Sequence, residues 1–406
     1  MKLVQFGAGN IGRSFIGQLF SRSGWDVVFV DVNPRIVSLL NEAGWYPVVV
    51  KRDGSPDERR SIGPVRAVDG RDTEAVVREL VSADMAASSV GKGAVPHILP
   101  VLARGLGERF RVRPDRPLDI IIAENLRGAA NFFRTSLAAA LGSAFPLDRM
   151  AGLIETSIGK MVPLMRAEDL REDPLLLFAE EYETLIVDAR GFRGPPVDVA
   201  GLYPVDAVSA YVDRKLFIHN LGHAAAAYLG YRAEPEKTSL AEVLAAPEVE
   251  RGARRAMKEA AAALVLEYPG VYSRSELTEH IEDLLRRFKN RALGDTVFRV
   301  GRDVPRKLSR DDRVTGATLL CARHGRPFEG IAEVYRAALG FAASGEDGLL
   351  FPEDARFRRE YLLAGQPPRH LEHLLTTLSG LNPAQAADKR VMDVLLGRED
   401  GCGAAV

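Results

Sequence analysis

Gly7-Ala-Gly9-Asn-Ile-Gly12 constrains this chain more than any other stretch. It stands between a short apolar strand, Leu3-Val-Gln-Phe6, and a helical run through Arg13-Ser-Phe-Ile-Gly17-Gln-Leu-Phe20. In that context the first glycine permits a tight turn and the second lets a pyrophosphate approach the backbone. The third lets the helix pack close to the strand. Exposed amides at the helix start then hold the anion. A second strand, Trp25-Asp-Val-Val-Phe-Val30, ends at Asp31, 19 residues after Gly12. A carboxylate there accepts hydrogen bonds from the ribose hydroxyls and repels a 2′-phosphate, which favours NAD over NADP. The candidate cofactor residues are therefore Gly7, Ala8, Gly9, Asn10, Ile11, Gly12 and Asp31. A plain βαβ unit without a nucleotide is the competing reading. Two roles fit Arg13: a phosphate contact, or a surface pair with Asp31.

The following segments extend this unit into a doubly wound α/β sheet. Tyr46-Pro-Val-Val-Val-Lys51 and Ser61-Ile-Gly-Pro-Val-Arg-Ala-Val68 flank the polar turn Asp53-Gly-Ser-Pro-Asp57. That pattern predicts an added antiparallel hairpin and not a third parallel strand. Met85-Ala-Ala-Ser-Ser-Val90 ends at Gly91, and Leu118-Asp-Ile-Ile-Ile-Ala123 delivers Glu124-Asn125-Leu-Arg127. Ligands of such sheets lie at the strand carboxyl ends, so Val90, Gly91 and Asn125 join the cofactor candidates. Ordinary strand ends, and a capping role for Asn125, compete with that reading. Gly152 to Pro163 continues the sheet and carries Lys160 at its tip, and Tyr182 to Asp188 reads as the last strand. Composition then turns to Gly and Pro near 191–196. The expected domains are residues 1–195 and a helical 196–406.

The second half shows helical periodicity at about 205–229, 239–246, 249–267, 274–290, 308–323, 327–343, 355–364, 369–379 and 382–397. The first of these holds Lys215, Asn220 and His223, with Gly230 as its expected C-cap. At about 100° per residue the three polar side chains span roughly 140°, one side of a helix. Oxidising a secondary alcohol needs a base for the hydroxyl proton and donors for the developing alkoxide. A lysine depressed by burial meets the first need, and the amides of Asn220 and Asn125 meet the second. His223 is suited to orient a neighbouring hydroxyl. His219 and His223 also stand four apart, as in a zinc helix, but Asn220 replaces the glutamate base. A two-imidazole metal site and a plain packing helix are the competing readings. A cation-rich stretch, Arg299, Arg302, Arg306, Lys307, Arg310 and Arg313, suggests an anion subsite, with a solvated surface partly offset by Asp303, Asp311 and Asp312 as the competing reading.

Totals exclude several classes. With 54 Lys+Arg against 55 Asp+Glu in 406 residues, nothing global favours nucleic acid or an anionic membrane. No apolar run is long enough to span a bilayer, and Met1 to Gly7 lacks the features of a signal peptide. Two cysteines, Cys321 and Cys402, point to a reducing cytoplasm.

Lys215-x4-Asn220-x2-His223 resembles the signature of the polyol-specific long-chain dehydrogenases, the mannitol dehydrogenase family. Phe6 to Arg13, Glu124-Asn125 with Arg127-Gly128, and Arg299-Val-Gly-Arg302 with Arg306-Lys307-Leu308 are also similar to it. The resemblance runs from residue 1 to about 340. It implies a Rossmann-type domain followed by an all-α domain with the active site between them. It also implies metal-independent, NAD-linked interconversion of mannitol 1-phosphate and fructose 6-phosphate. Lys215 would be the base, Asn125 and Asn220 the oxyanion donors, and a monomer is favoured over a dimer. Arg127, Lys160, Arg299, Arg302, Arg306 and Lys307 are the expected substrate contacts. One departure is Gly159-Lys160, where the phosphate-using branch commonly has Asp-Arg. Relatives acting on free polyols or keto-uronates are the alternatives within the family. A nucleotide-binding sensor without turnover is the alternative outside it.

Overall fold

The computed structural model describes residues 1–163, 165, 167–362 and 369–398. The chain forms two compact units, Met1–Val212 and a second from Asp213 onward.

The first unit is built on β1 (Lys2–Phe6), β2 (Asp26–Asp31), β3 (Tyr46–Val50), β4 (Glu58–Ile62), β5 (Val65–Asp69), β6 (Met85–Ser88), β7 (Leu118–Ile122), β8 (Ala151–Ile158), β9 (Leu177–Ala179), β10 (Leu185–Asp188) and β11 (Leu202–Val205). Eight strands form one sheet in the order β11-β10-β8-β7-β6-β1-β2-β5. β5 to β8 of that order are parallel throughout; β10 runs antiparallel to β8. Side chains alternate between the two faces. Leu3, Val27, Phe29, Ala87 and Ile121 enter one core, and Val4, Phe6, Val30, Ala86 and Ile120 enter the other. Burial on both faces explains why these strands read as continuous apolar runs. The winding direction reverses between β1 and β6, where a doubly wound sheet opens its ligand crevice.

The expected hairpin is present, as β3 paired antiparallel with β4, and β9 adds a third strand to it. The expectation that residues 61–68 belong wholly to that hairpin is corrected. Gly63-Pro64 interrupts the run, since proline offers no amide to a ladder. Residues beyond it form β5, a third parallel strand beside β2. β10 is also not the last strand. β11 pairs parallel with it beyond the Gly/Pro-rich stretch, so the first unit extends to Val212 where a division at 195/196 was expected.

The second unit is helical among its described residues, apart from one bridge between Ser239 and Thr296. Helix Leu221–Ala233 is buried on nearly every side and packs against Pro247–Glu267, Val297–Gly301 and Glu329–Leu339. Gly230 does not cap it. The helix continues to Ala233, and a Cβ on Gly230 would lie 2.5 Å from Val243, so this glycine permits close packing. The expected 308–323 helix begins only at Thr315. Before it, a turn is held by Arg306 on Asp312 (3.0 Å) and Arg310 on Asp388 (2.6 Å). The expected 355–364 segment forms Pro352–Phe357 and Arg358–Leu362; 363 and 364 lie outside the described residues. Among the described residues no helix is long and apolar enough to cross a membrane.

Candidate active site

The three glycines of the first turn serve three different ends. Gly7 has φ +89°, and a Cβ there would lie 2.8 Å from the Ser89 carbonyl oxygen. A Cβ on Gly12 would collide with the Gly7 carbonyl oxygen, so this glycine seats the helix on the turn. Gly9 is exposed and a Cβ there would meet no atom within 4 Å. Among the described residues nothing requires glycine at position 9, whereas a pyrophosphate held against the backbone would. Gly12→Ala is expected to cost about 1–3 kcal/mol of stability through overpacking. Thermal unfolding measures this; an unchanged Tm would show that the turn opens freely.

Gly7, Gly9, Asp31, Ser89, Val90 and His97 line a cleft of about 420 Å³ at the switch between β1 and β6. Asp31 accepts from the Ala8 amide at 2.7 Å and the Asn33 amide at 2.9 Å, so its carboxylate is held at the cleft. Asn10 is exposed and Ile11 half-buried. Arg13 takes neither expected role. It is buried, and donates to the carbonyls of Ala8 (2.6 Å) and Leu175 (2.8 Å). Val90 lines the cleft with its side of the loop, while the amides of Val90 and Gly91 are both donated to Glu124, at 2.8 and 2.9 Å. Glu124 also accepts from Ser88 Oγ at 2.6 Å. This buried carboxylate shapes the far wall of the cleft, and the sequence reading gave it no role. Asn125 and Arg127 are exposed just beyond β7.

Lys160 is turned inward. It is buried, its Nζ donates to the carbonyls of Glu180 (3.0 Å) and Tyr182 (2.8 Å), and it lies 5.2 Å from the Phe15 ring centre. A lysine so engaged braces the end of β8, which corrects the expected substrate contact. A Cβ on Gly159 would lie 3.2 Å from the Tyr182 hydroxyl oxygen, so the Gly159-Lys160 departure belongs to internal packing.

In the second unit, Lys215–Asn220 is π-helical and continues directly into helix Leu221–Ala233. A straight α-helix would place Lys215 and Asn220 roughly 140° apart. An i→i+5 turn brings residues five apart nearer to alignment, and such turns are frequent at functional sites. The expected sector is therefore narrowed. Lys215, Asn220 and His223 are each half-buried. Burial, followed by the positive charge of Arg313, lowers Lys215 from 10.5 to about 8. That brings an amine into the range where it exchanges a proton near neutral pH.

His223 stacks on Phe288 with centroids 4.7 Å apart and 13° between planes. Its Nε2 lies 3.2 Å from Asp295 Oδ2. Arg299 Nη1 donates to the other oxygen of Asp295. A lone carboxylate neighbour would raise an imidazole. Here burial dominates, and Arg299, Arg313, Lys307 and Arg287 add to it, so His223 falls to about 3 and is neutral. His219 is buried and pushed well down for the same first reason. Among the described residues, no group of three His, Cys, Asp or Glu side chains is arranged to hold a metal ion.

The cation-rich stretch is mostly paired already. Arg299 holds Asp295, Arg306 holds Asp303 and Asp312, Arg310 holds Asp388, and Arg313 holds Asp312. Lys307 is buried, donates to the Arg302 carbonyl, and is lowered to about 7 by burial and then by Arg313. Arg302 is exposed, over Phe298 and Phe351 at 5.8 and 5.3 Å, and among the described residues no carboxylate pairs with it. Of the expected anion subsite, one exposed guanidinium, Arg302, stands without a described carboxylate partner, beside the buried amine of Lys307.

Residues 1–200 match the mannitol dehydrogenase Rossmann domain, and residues 207–359 match the mannitol dehydrogenase C-terminal domain. The chain belongs to the mannitol dehydrogenase family. Within it, the chain is 33% identical to mannitol-1-phosphate 5-dehydrogenase of Brevibacillus brevis, over 88% of this chain and 89% of that one. It is 35% identical to the Bacillus subtilis enzyme of the same name, over 85% and 89%. Its fold is similar to that of a crystalline D-sorbitol dehydrogenase, with a TM-score of 0.76 at 18% identity, covering 99% of this chain and 94% of that one. The family placement thus agrees with a parallel-sheet unit followed by a helical one.

Proposed function

We propose that this protein interconverts mannitol 1-phosphate and fructose 6-phosphate with NAD as its cofactor. The observation that carries the reading is Lys215, lowered to about 8 on a π-turn that also bears Asn220, in a family member 33–35% identical to enzymes of that name. The open space at Gly9 and the held carboxylate of Asp31 fit a dinucleotide. Gly7, Gly9, Asp31 and Val90 would hold it, with Glu124 fixing the loop that carries Val90. Bound NAD supplies the hydride acceptor.

The remaining work falls to side chains. Lys215 takes the hydroxyl proton in oxidation and returns it in reduction. Asn220 and Asn125 donate amide hydrogens to the developing oxyanion. Neutral His223 accepts a hydrogen bond from an adjacent hydroxyl and orients the sugar. Arg302, with its planar fork uncommitted to any described carboxylate, is the phosphate contact of this proposal, and Lys307 is its neighbour. The buried free thiol of Cys321 fits a reducing cytoplasm as the site of reaction.

NADH oxidation by purified protein tests the reading, with fructose 6-phosphate compared against free fructose, tagaturonate and fructuronate, and with NADPH in place of NADH. The expected result is highest kcat/KM with fructose 6-phosphate and NADH. Preference for another ketose moves the protein to another branch of the family. Absence of turnover with all four leaves a nucleotide-binding sensor. Preference for NADPH removes the role given to Asp31.

A further inference from the structure

We infer that Asp295 is the positioning residue of this site: it fixes His223 as the Nε2–H tautomer and so leaves Nδ1 as the acceptor for a substrate hydroxyl. The inference rests on the proposed role of His223. Its own support is local geometry. Asp295 is buried, with Oδ2 3.2 Å from His223 Nε2 and Oδ1 taken by Arg299. An ionised carboxylate has no proton to give, so the hydrogen of this contact belongs to the imidazole. A neutral imidazole carries one N–H, and placing it on Nε2 makes Nδ1 an acceptor.

The surroundings hold both partners still. The backbone beside Asp295 is pinned from two sides: the Leu240 amide donates to the Asp295 carbonyl at 3.0 Å, and the Val297 amide to the Thr238 carbonyl at 2.8 Å. Phe288 fixes the plane of the imidazole from the helix Arg274–Phe288. That helix is itself set by a capping box, with Ser273 and Glu276 exchanging hydrogen bonds at 3.1 and 2.7 Å. The His223 side chain keeps 18% of its surface exposed, enough to meet a ligand.

Arg299 makes the identity of residue 295 decisive. The guanidinium is donor-only and claims one oxygen. An asparagine at 295 has only one oxygen to offer. It satisfies Arg299 with that oxygen and turns its NH2 toward His223. Nε2 must then accept, the ring hydrogen moves to Nδ1, and the atom meant to accept from substrate becomes a donor. Asp295→Asn is thus nearly isosteric and inverts the polarity of His223.

The test is 15N correlation spectroscopy of histidine-labelled full-length protein, with the His223 signals assigned by their loss in His223→Ala. Wild type is expected to carry the proton on Nε2 and Asp295→Asn on Nδ1. The variant is expected to lose roughly 10- to 100-fold in kcat/KM for the sugar, the effect of one misdirected hydrogen bond, with NADH affinity unchanged. A wild-type His223 protonated on Nδ1 overturns the inference without any variant. A folded Asp295→Asn protein that keeps the Nε2 proton also overturns it. The double variant Asp295→Asn/His223→Ala separates the levels. Losses no larger than those of His223→Ala alone support action through His223, and additive losses overturn it. If His223→Ala keeps full kcat/KM, the role proposed for His223 fails while the tautomer measurement still judges Asp295.

Discussion

Replacing Lys215 with alanine is expected to lower kcat by about 10²–10⁴-fold, the range a positioned general base contributes. Lys215 stands at the start of the π-turn, half-buried. Burial disfavours its ammonium and Arg313 adds repulsion, so its neutral form is populated near pH 8. An ordinary surface lysine, near 10.4, would be almost fully protonated there and unable to accept a hydroxyl proton. Alanine removes the amine and changes neither the glycine turn nor Asp31. Stopped-flow turnover, set beside an NADH fluorescence titration, therefore separates chemistry from cofactor binding. Turnover within tenfold of wild type would eliminate Lys215 as the base. Lost NADH binding would instead mean that the substitution disturbs the protein beyond its site.

The parts of this site that were legible in the sequence are those whose chemistry is local. Gly7, Gly9 and Gly12 sit within six residues, and strand, turn and helix are all visible around them. Lys215, Asn220 and His223 likewise share one continuous run. Their mutual angle was not legible. The run is rich in alanine and leucine and reads as an α-helix, and no residue type announces a π-turn. Asp295 was missed for a different reason: it lies 72 residues from His223, and only tertiary packing joins them. In the stretch Arg299 to Arg313 three partners, Asp295, Asp303 and Asp312, lie within six residues of their arginines, and a fourth is distant. Asp388 neutralises Arg310 from 78 residues away, which a count of local charges cannot register. Gly230 and Lys160 erred in the opposite direction. Each has a common local role, as helix cap and as exposed cation, and each is overruled by a neighbour, Val243 in one case and two backbone carbonyls in the other.

Oxidation and reduction are expected to respond to pH with opposite signs, and the pivot is the value of about 8 at Lys215. As a base, Lys215 must be neutral. The kcat of polyol oxidation then rises with pH, about tenfold per unit below the pivot, reaching about 100-fold between pH 6 and the plateau. As an acid in ketose reduction, Lys215 must be protonated, so that kcat is flat below the pivot and falls above it. His223, held near 3, does not titrate in this window. His219, pushed well below its usual range, does not either. Lys307 does, at about 7. Its ammonium favours an anionic substrate, so its titration enters KM and strengthens binding toward low pH, against the trend in oxidation kcat. Measuring kcat and KM separately from pH 6 to 9.5, in both directions, distinguishes the two amines. A kcat for oxidation that does not change across this range would remove Lys215 from the proton transfer. A mirror-image pair of profiles crossing near pH 8 would tie both directions to one lysine.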